Sequence, residues 1–249
     1  MNHKDSIFAS PLSRVSDFTF DDATADVFDD MVLRSVPFYE EIQHMIADLA
    51  LNLTDDSSVI YDLGCSTGTT LLLLAARLKT KNLPQNSIQL VGLDSSDAML
   101  ARAEAKCKLV KPDCSIVWRV QDLSAGLEGC SADIFIMNLT LQFLRPLNRE
   151  QLVASIYRNL NPGGCLILVE KVLADDTLFN RLYIELYHAF KKRKGYSELE
   201  ISQKREALEN VLIPYRVCEN EAMLRRNGFA HTELFFRWFN FAGFIAMKL

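Results

Sequence analysis

The sequence predicts an α/β fold built on a mostly parallel seven-stranded sheet with helices on both faces. Three observations carry that expectation. Short apolar runs alternate with helix-length segments from residue 58 to residue 169. A loop containing two glycines, Asp62-Leu63-Gly64-Cys65-Ser66-Thr67-Gly68, joins the first run to a leucine-rich segment. The second run closes on Asp94 and the fourth enters Asn138. Strand–helix alternation of this kind points to a parallel sheet covered on both sides.

The elements follow in order. The first 50 residues read as helical and are expected to cover one edge of the sheet. Ser58-Val59-Ile60-Tyr61 is the first strand, and Thr69 to Lys79 the first core helix. Gln89 to Leu93 is a strand, 97–106 a helix, and 115–120 and 133–137 are strands. Arg149 to Leu160 is a helix stopped by Pro162-Gly163-Gly164, and Cys165 to Val169 is the fifth strand. The pattern then changes: 176–194 and 198–211 are adjacent helices, and Glu221 to Asn227 is a helix capped by Gly228. The aromatic end is expected to form two strands joined near Asn240. One domain accounts for this: a helical cap (1–55), a core (56–172), a helical insertion (173–215), and a closing helix with two strands (216–249).

Composition narrows the function. Of 249 residues, 49% are hydrophobic, enough for a sizeable core, and the net charge is −5. An acidic chain is not expected to bind nucleic acid non-specifically. No apolar stretch reaches the roughly 18 residues a membrane span needs, and the N-terminus, MNHKDSIFASPLSR, lacks a signal-peptide core. The six cysteines form no C-x-x-C pair, so neither a metal site nor a disulfide framework is expected, and a cytoplasmic location fits.

The loop at 64–68 admits two readings. Gly64-Cys65-Ser66-Thr67-Gly68 matches G-x-S-x-G, the turn that presents a hydrolase serine, with His188 and His231 later in the chain. Only one strand precedes Ser66, however, where that fold places several. As a cofactor loop it fits better: glycines let backbone approach a ligand, the next helix offers free N–H groups, and Asp94 ends the following strand, where a ribose hydroxyl would be accepted. The G-x-G-x-x-G spacing of dinucleotide enzymes is absent.

At these residues the chain resembles the class I S-adenosylmethionine-dependent methyltransferases, with their Rossmann-like fold. Asp62 to Gly68 is similar to that family's motif D/E-x-G-x-G-x-G, with Ser66 in place of the central glycine. Asp94 resembles the ribose acid, Gln121-Asp122-Leu123 the adenine-contacting segment, Asn138 the residue after the fourth strand, and Asn161-Pro162-Gly163-Gly164 the loop before the fifth. A closer resemblance, over nearly the whole chain, is to the carboxy-S-adenosyl-L-methionine synthases. It rests on Arg34-Ser35-Val36-Pro37 with Tyr39, on Tyr61 to Ser66, on Asn138 to Leu144, and on Gly195-Tyr196-Ser197-Glu198-Leu199-Glu200-Ile201-Ser202-Gln203-Lys204-Arg205. The serine in the loop is shared by that group.

The resemblance implies carboxylation of S-adenosylmethionine rather than methyl transfer. Prephenate is the donor and leaves as phenylpyruvate, and a sulfonium ylide captures the carbon dioxide. The product, carboxy-S-adenosyl-L-methionine, would serve a separate tRNA carboxymethyltransferase that modifies wobble uridine; S-adenosyl-L-homocysteine is a further ligand of such a pocket, and no metal is implied. Tyr39, Gly64, Cys65, Ser66, Asp94, Ser95, Asp122, Leu123 and Asn138 are the implied ligand contacts, and Arg205 the cation that pairs with the new carboxylate. No residue is implied as the base for the methyl proton; hydroxide or water formed as prephenate breaks down is one source.

From the residues alone, alternatives stay open. Arg205 also reads as a solvated helix arginine beside Glu206 and Glu209, Tyr39 as core, Asn138 as a strand-end backbone partner, Asp94 and Asp122 as caps, and Cys65 as a small loop residue. The run Lys191-Lys192-Arg193-Lys194 reads as a solvated helix C-terminus, or as an attractor for an anionic substrate or tRNA. The tail aromatics Phe235, Phe236, Trp238, Phe239 and Phe241 read as core or as a subunit interface, the latter favouring a homodimer. An ordinary small-molecule or RNA methyltransferase, and a non-enzymatic carrier of the modified cofactor, are the competing functions.

Overall fold

A computed structural model describes residues 3–80, 88–127 and 129–249. Two helices, α1 (Asp22–Ser35) and α2 (Tyr39–Asn52), precede the alternating region. That region runs β1 (Val59–Leu63), α3 (Thr69–Thr80), β2 (Gln89–Asp94), α4 (Asp97–Val110), β3 (Ile116–Val120), β4 (Ala132–Asn138), α5 (Pro146–Asn159) and β5 (Leu160–Leu173). There follow α6 (Thr177–Arg193), α7 (Glu198–Leu208), the two-residue β6 (Tyr215–Arg216), α8 (Val217–Arg226), β7 (His231–Trp238) and β8 (Phe241–Met247). The strand order is β3-β2-β1-β4-β5-β8-β7, with β6 paired to β5 off this path. Strands β1 to β5 are parallel; β8 runs antiparallel to both its neighbours. The seven expected strands are present, and the two-residue β6 is the addition.

Central strands carry unbroken apolar runs because helices cover both faces. In β4, Phe135 and Met137 join one cluster with Leu63, Val91 and Leu166, under Leu152, Val153 and Ile156 of α5 and Met223 and Leu224 of α8. Ile134 and Ile136 point the other way, into a cluster with Ile60, Leu90, Ile167 and Val169 under α2 and α3. Each such side chain, fully buried, contributes about 1.5–3 kcal/mol.

Helix α2 packs on a face of the sheet rather than at its edge. Ile42, Ile46, Ala47 and Ala50 lie on one stripe of α2 and are fully buried against the face formed by β1, β4 and β5. An apolar stripe that wide needs a sheet face to bury it. Ahead of α1, the first residues are strapped to α7: the Gln203 amide donates to the carbonyls of Phe8 (2.9 Å) and Ser10 (3.0 Å) and accepts from the Leu12 N–H (2.7 Å).

Several boundaries move for local reasons. Helix α5 starts at Pro146, where the missing N–H is one the first turn does not need. Pro162-Gly163-Gly164 lies inside β5 rather than before it, and α7 ends at Leu208 rather than Val211. Helix α8 begins at Val217 because Glu219 turns back to accept the Arg216 N–H at 2.6 Å. The tail aromatics pack largely within the chain: Phe235, Phe236 and Trp238 lie against the α2–α3 face, and Trp238 meets Phe190, Phe239 and Phe241 edge-on or tilted. Phe241 is core, while Phe235, Phe236, Trp238 and Phe239 stay half-buried, with Trp238, Phe239 and Phe241 packed on aromatic side chains of α6. Among the described residues no helix is long and apolar enough to cross a membrane.

Candidate functional site

The loop after β1 bends the chain sharply over the carboxyl ends of the strands. Gly64, Ser66 and Gly68 all take positive φ, at 74°, 53° and 76°. At Gly64 a side chain has no room: a Cβ would stand 2.3 Å from Thr140 Cγ2. Ser66 holds its left-handed backbone because its N–H donates to Asp94 Oδ2 at 2.8 Å. The Gly64 and Cys65 N–H groups both donate to the Leu93 carbonyl, at 2.7 and 3.0 Å. Farther along, Thr67 Oγ1 donates to Asp29 of α1 at 2.6 Å, and Lys106 of α4 bridges Asp29, Thr67 and Thr69. The loop is thereby tied to three elements at once, a network with no pattern in the sequence.

Asp94 ends β2 and is fixed from two sides. One oxygen accepts from Ser66 and the other from the Ser96 N–H at 2.9 Å. Burial pushes its carboxyl above the ordinary value, against the pull of those N–H groups. It is not the cap of α4: Ser96 takes that role, accepting from the Met99 N–H at 3.2 Å. Asp122 caps a short turn at 123–125, accepting from the Ser124 N–H and Oγ, both at 2.8 Å, and stays exposed. Asn138 closes β4, and its Oδ1 is buried with no hydrogen-bond partner. A buried amide oxygen left open is costly unless a ligand completes it.

All ten residues singled out from the sequence line one cavity of about 870 Å³: Tyr39, Gly64, Cys65, Ser66, Asp94, Ser95, Asp122, Leu123, Asn138 and Arg205. That volume is at the large end for a small-molecule site. Cys65 is buried and its thiol is pushed up by that burial, so it stays protonated and packs. The Ser66 hydroxyl faces the Met99 thioether at 3.4 Å, not a histidine, which leaves the hydrolase arrangement without its base. Arg205, on exposed α7 surface, makes no ion pair among the described residues, with neither Glu206 nor Glu209.

The same cavity holds residues beyond the ten implied contacts; among them the sequence raises His188 and Lys191 only as a hydrolase histidine and as part of the basic run. Asp62 is buried, its Oδ2 lacks a partner, and burial followed by the charge of Asp94 pushes it up to about 7. Lys171, Tyr187, His188, Lys191 and Lys204 also line the cavity. Lys191 is only 6% exposed, so the basic run is not solvated throughout; Lys192, Arg193 and Lys194 are exposed. Tyr187, His188 and Lys191 share a face of α6 by helical spacing, the signal that could have found Lys191. His188 is pushed down to about 4, by burial first and then by Lys191, Arg205 and Lys171. The cavity is thus polarised. Most carboxylates come from β1, β2 and the turn after β3, with Glu209 at the end of α7 the exception; most cations come from β5, α6 and α7, with Arg145 ahead of α5 the exception.

Comparison with known proteins agrees with this architecture. Residues 60–164 match a family model described as a methyltransferase domain. A carboxy-S-adenosyl-L-methionine synthase of Methylococcus capsulatus is 47% identical over 98% of this chain and 99% of its own length. One from Wolinella succinogenes is 46% identical over 98% of each. Among solved structures, the YcgJ protein of Bacillus subtilis superposes with a TM-score of 0.62 at 12% identity, covering 84% of this chain and 99% of that one, which shows the fold. With a class I methyltransferase fold and relatives this similar over their full length, the chain belongs to the carboxy-S-adenosyl-L-methionine synthase family.

Proposed function

We propose that the protein converts S-adenosyl-L-methionine and prephenate into carboxy-S-adenosyl-L-methionine and phenylpyruvate. The observation that carries this reading is the polarised cavity: an enzyme moving a methyl group from one cation has no use for a bank of cations facing the site. A reaction that handles carboxylates does.

The residues present fit the adenosyl group. Asp94 would accept from a ribose diol, Asp122 and Leu123 would flank the adenine, and the positive-φ backbone at Gly64 and Ser66 would let the ligand approach closely; all of them line the cavity. Asn138 Oδ1 supplies an open acceptor and Tyr39 closes the cavity from the first turn of α2. When bound, S-adenosylmethionine supplies a methyl carbon acidified by the neighbouring sulfonium. Arg205 then pairs with the carboxylate gained there; a guanidinium stays charged and meets two oxygens at once. The donor loses carbon dioxide and its ring hydroxyl as hydroxide, which balances the methyl proton as water. No protein base is required by that balance.

The acidic chain fits a role upstream of tRNA, supplying the carboxylated cofactor to a separate carboxymethyltransferase in the cytoplasm. A homodimer is supported by the apolar side chains that α6 leaves in solvent, Leu178 at 71%, Phe179 at 51% and Leu182 at 43% exposure.

Mass spectrometry of a reaction containing protein, S-adenosylmethionine and prephenate tests the proposal. The expected product is S-adenosylmethionine heavier by one carbon dioxide, with phenylpyruvate formed in equal amount. Methyl transfer to another acceptor without prephenate would overturn it.

A further inference from the structure

Lys171 of β5 and Lys191 of α6 stand beside the same ring. Their ammonium nitrogens lie 5.2 and 4.6 Å from the centroid of Tyr187, whose hydroxyl is fixed by donating to the Ser35 carbonyl at 2.8 Å. Both lysines line the cavity, and neither ammonium makes an ion pair or a hydrogen bond among the described residues. Lys204 differs, with Asp5 Oδ2 at 3.6 Å from its Nζ. Burial, and repulsion from neighbouring cations, push Lys171 down to about 8 and Lys191 to about 7. Two ammonium groups held together without a counter-ion oppose folding, so their placement calls for an anion that arrives with a ligand.

The donor chemistry says which anion. Prephenate carries two carboxylates. One departs as carbon dioxide and reappears beside Arg205; the other stays on the side chain of phenylpyruvate and needs a separate cation. We infer that Lys171 and Lys191, on either arm of Tyr187, form a second carboxylate subsite that holds the 2-oxo acid group of the donor that is not transferred. This rests on the reaction proposed above. It makes the two lysines specificity determinants for an oxo-acid donor and leaves Arg205 to the transferred carboxyl group.

Titration of phenylpyruvate into the full chain saturated with S-adenosylmethionine reads the subsite without turnover. Lys171→Met and Lys191→Met keep the stem and remove the charge. Each is expected to weaken phenylpyruvate binding by about tenfold or more, as loss of a charge-assisted hydrogen bond does. Lys192→Met, at an exposed position, is expected to leave that affinity within about twofold of the parent. Melting temperatures should not fall in the methionine variants, because a buried unpaired charge is being removed; a purely structural lysine would lower them. Should a methionine variant fold poorly, Lys171→Arg and Lys191→Arg keep the charge and must retain binding.

Parent protein that fails to bind phenylpyruvate, or lysine variants that bind it as tightly as the parent, would overturn the subsite. Turnover separates the two proposals. If the parent carboxylates S-adenosylmethionine but the lysine variants keep its KM for prephenate, the subsite fails and the reaction stands. If phenylpyruvate binds through the lysines but prephenate yields no product, the reaction fails and the anion site stands.

Discussion

Asp62 and Asp94 face one cavity from the ends of adjacent parallel strands, and the charge on Asp94 helps keep Asp62 protonated close to neutral pH. Burial is the larger cause, and together the two raise Asp62 from its ordinary 3.8 to about 7. Below pH 4 the carboxyl is protonated whether the chain is folded or not, and its contribution to stability is fully present. Between pH 4 and 7 the unfolded chain has lost that proton and the folded chain keeps it, so stability falls as pH rises. Asp62→Asn removes the titration. Its melting temperature relative to the parent should therefore be higher at pH 8 than at pH 4, by about 2–8 °C for a gain of 1–2 kcal/mol. A gap of the same size at both pH values would refute the assignment.

Gly64 is required twice over, by a φ of 74° and by Thr140. Gly64→Ala should destabilise the protein by about 1–3 kcal/mol and weaken S-adenosylmethionine binding, because the loop must shift to clear the new methyl group. Replacing Thr140 by alanine in that background removes the atoms at 2.3 and 2.5 Å and leaves Thr140 Cβ at 3.0 Å. The double variant should regain part of the stability and binding but not all, since the backbone strain remains. Thermal melts and calorimetric titration of the four proteins in the cycle measure both effects, and full recovery would assign everything to the clash.

The sequence made the loop legible because its constraints are local. A βα turn that needs positive φ shows its glycines, and a strand ending on Asp94 or Asn138 shows a polar residue after an apolar run. The cation end was less legible. Lys191 sits in a run of four basic residues, three of which are solvated as such runs usually are. Its burial follows from the helical stripe through Ile184 and Tyr187, which shows that α6 faces inward at that point. Lys171 shares the period-2 face of Ile167 and Val169, so its inward direction was readable, but the cavity beyond it is assembled by α6 and α7. The Asp29–Lys106–Thr67 network joins residues 38 and 77 positions apart and left no mark in either local stretch.

Arg205 separates the two adenosyl ligands. Its guanidinium has no carboxylate partner among the described residues, so removing it strands no buried charge. Arg205→Ala should leave S-adenosylmethionine affinity within about twofold and weaken carboxy-S-adenosyl-L-methionine by about 10–100-fold, the range expected for a charged hydrogen-bonded pair. Arg205→Lys should recover only part of that, because an ammonium meets one carboxylate oxygen where a guanidinium meets two. Competitive titration of both ligands gives the two constants. Equal losses for the two would mean that Arg205 acts on the adenosyl group or on the fold, not on the carboxylate.

The outer face of α6 is the surface on which a dimer would be built. Leu178 and Leu182 are one helical turn apart and both largely exposed, while the inner face of the same helix packs on Trp238 and lines the cavity. Pairing of this helix with its copy would therefore couple assembly to the cation end of the site. Leu178→Glu with Leu182→Glu places two like charges on that face and should convert a dimer to a monomer in light scattering, with little change in melting temperature of the isolated chain. Because α6 carries Tyr187 and Lys191, the monomer should lose affinity for phenylpyruvate more than for S-adenosylmethionine. A parent protein that is already monomeric at micromolar concentration would dispose of the dimer and of this coupling together.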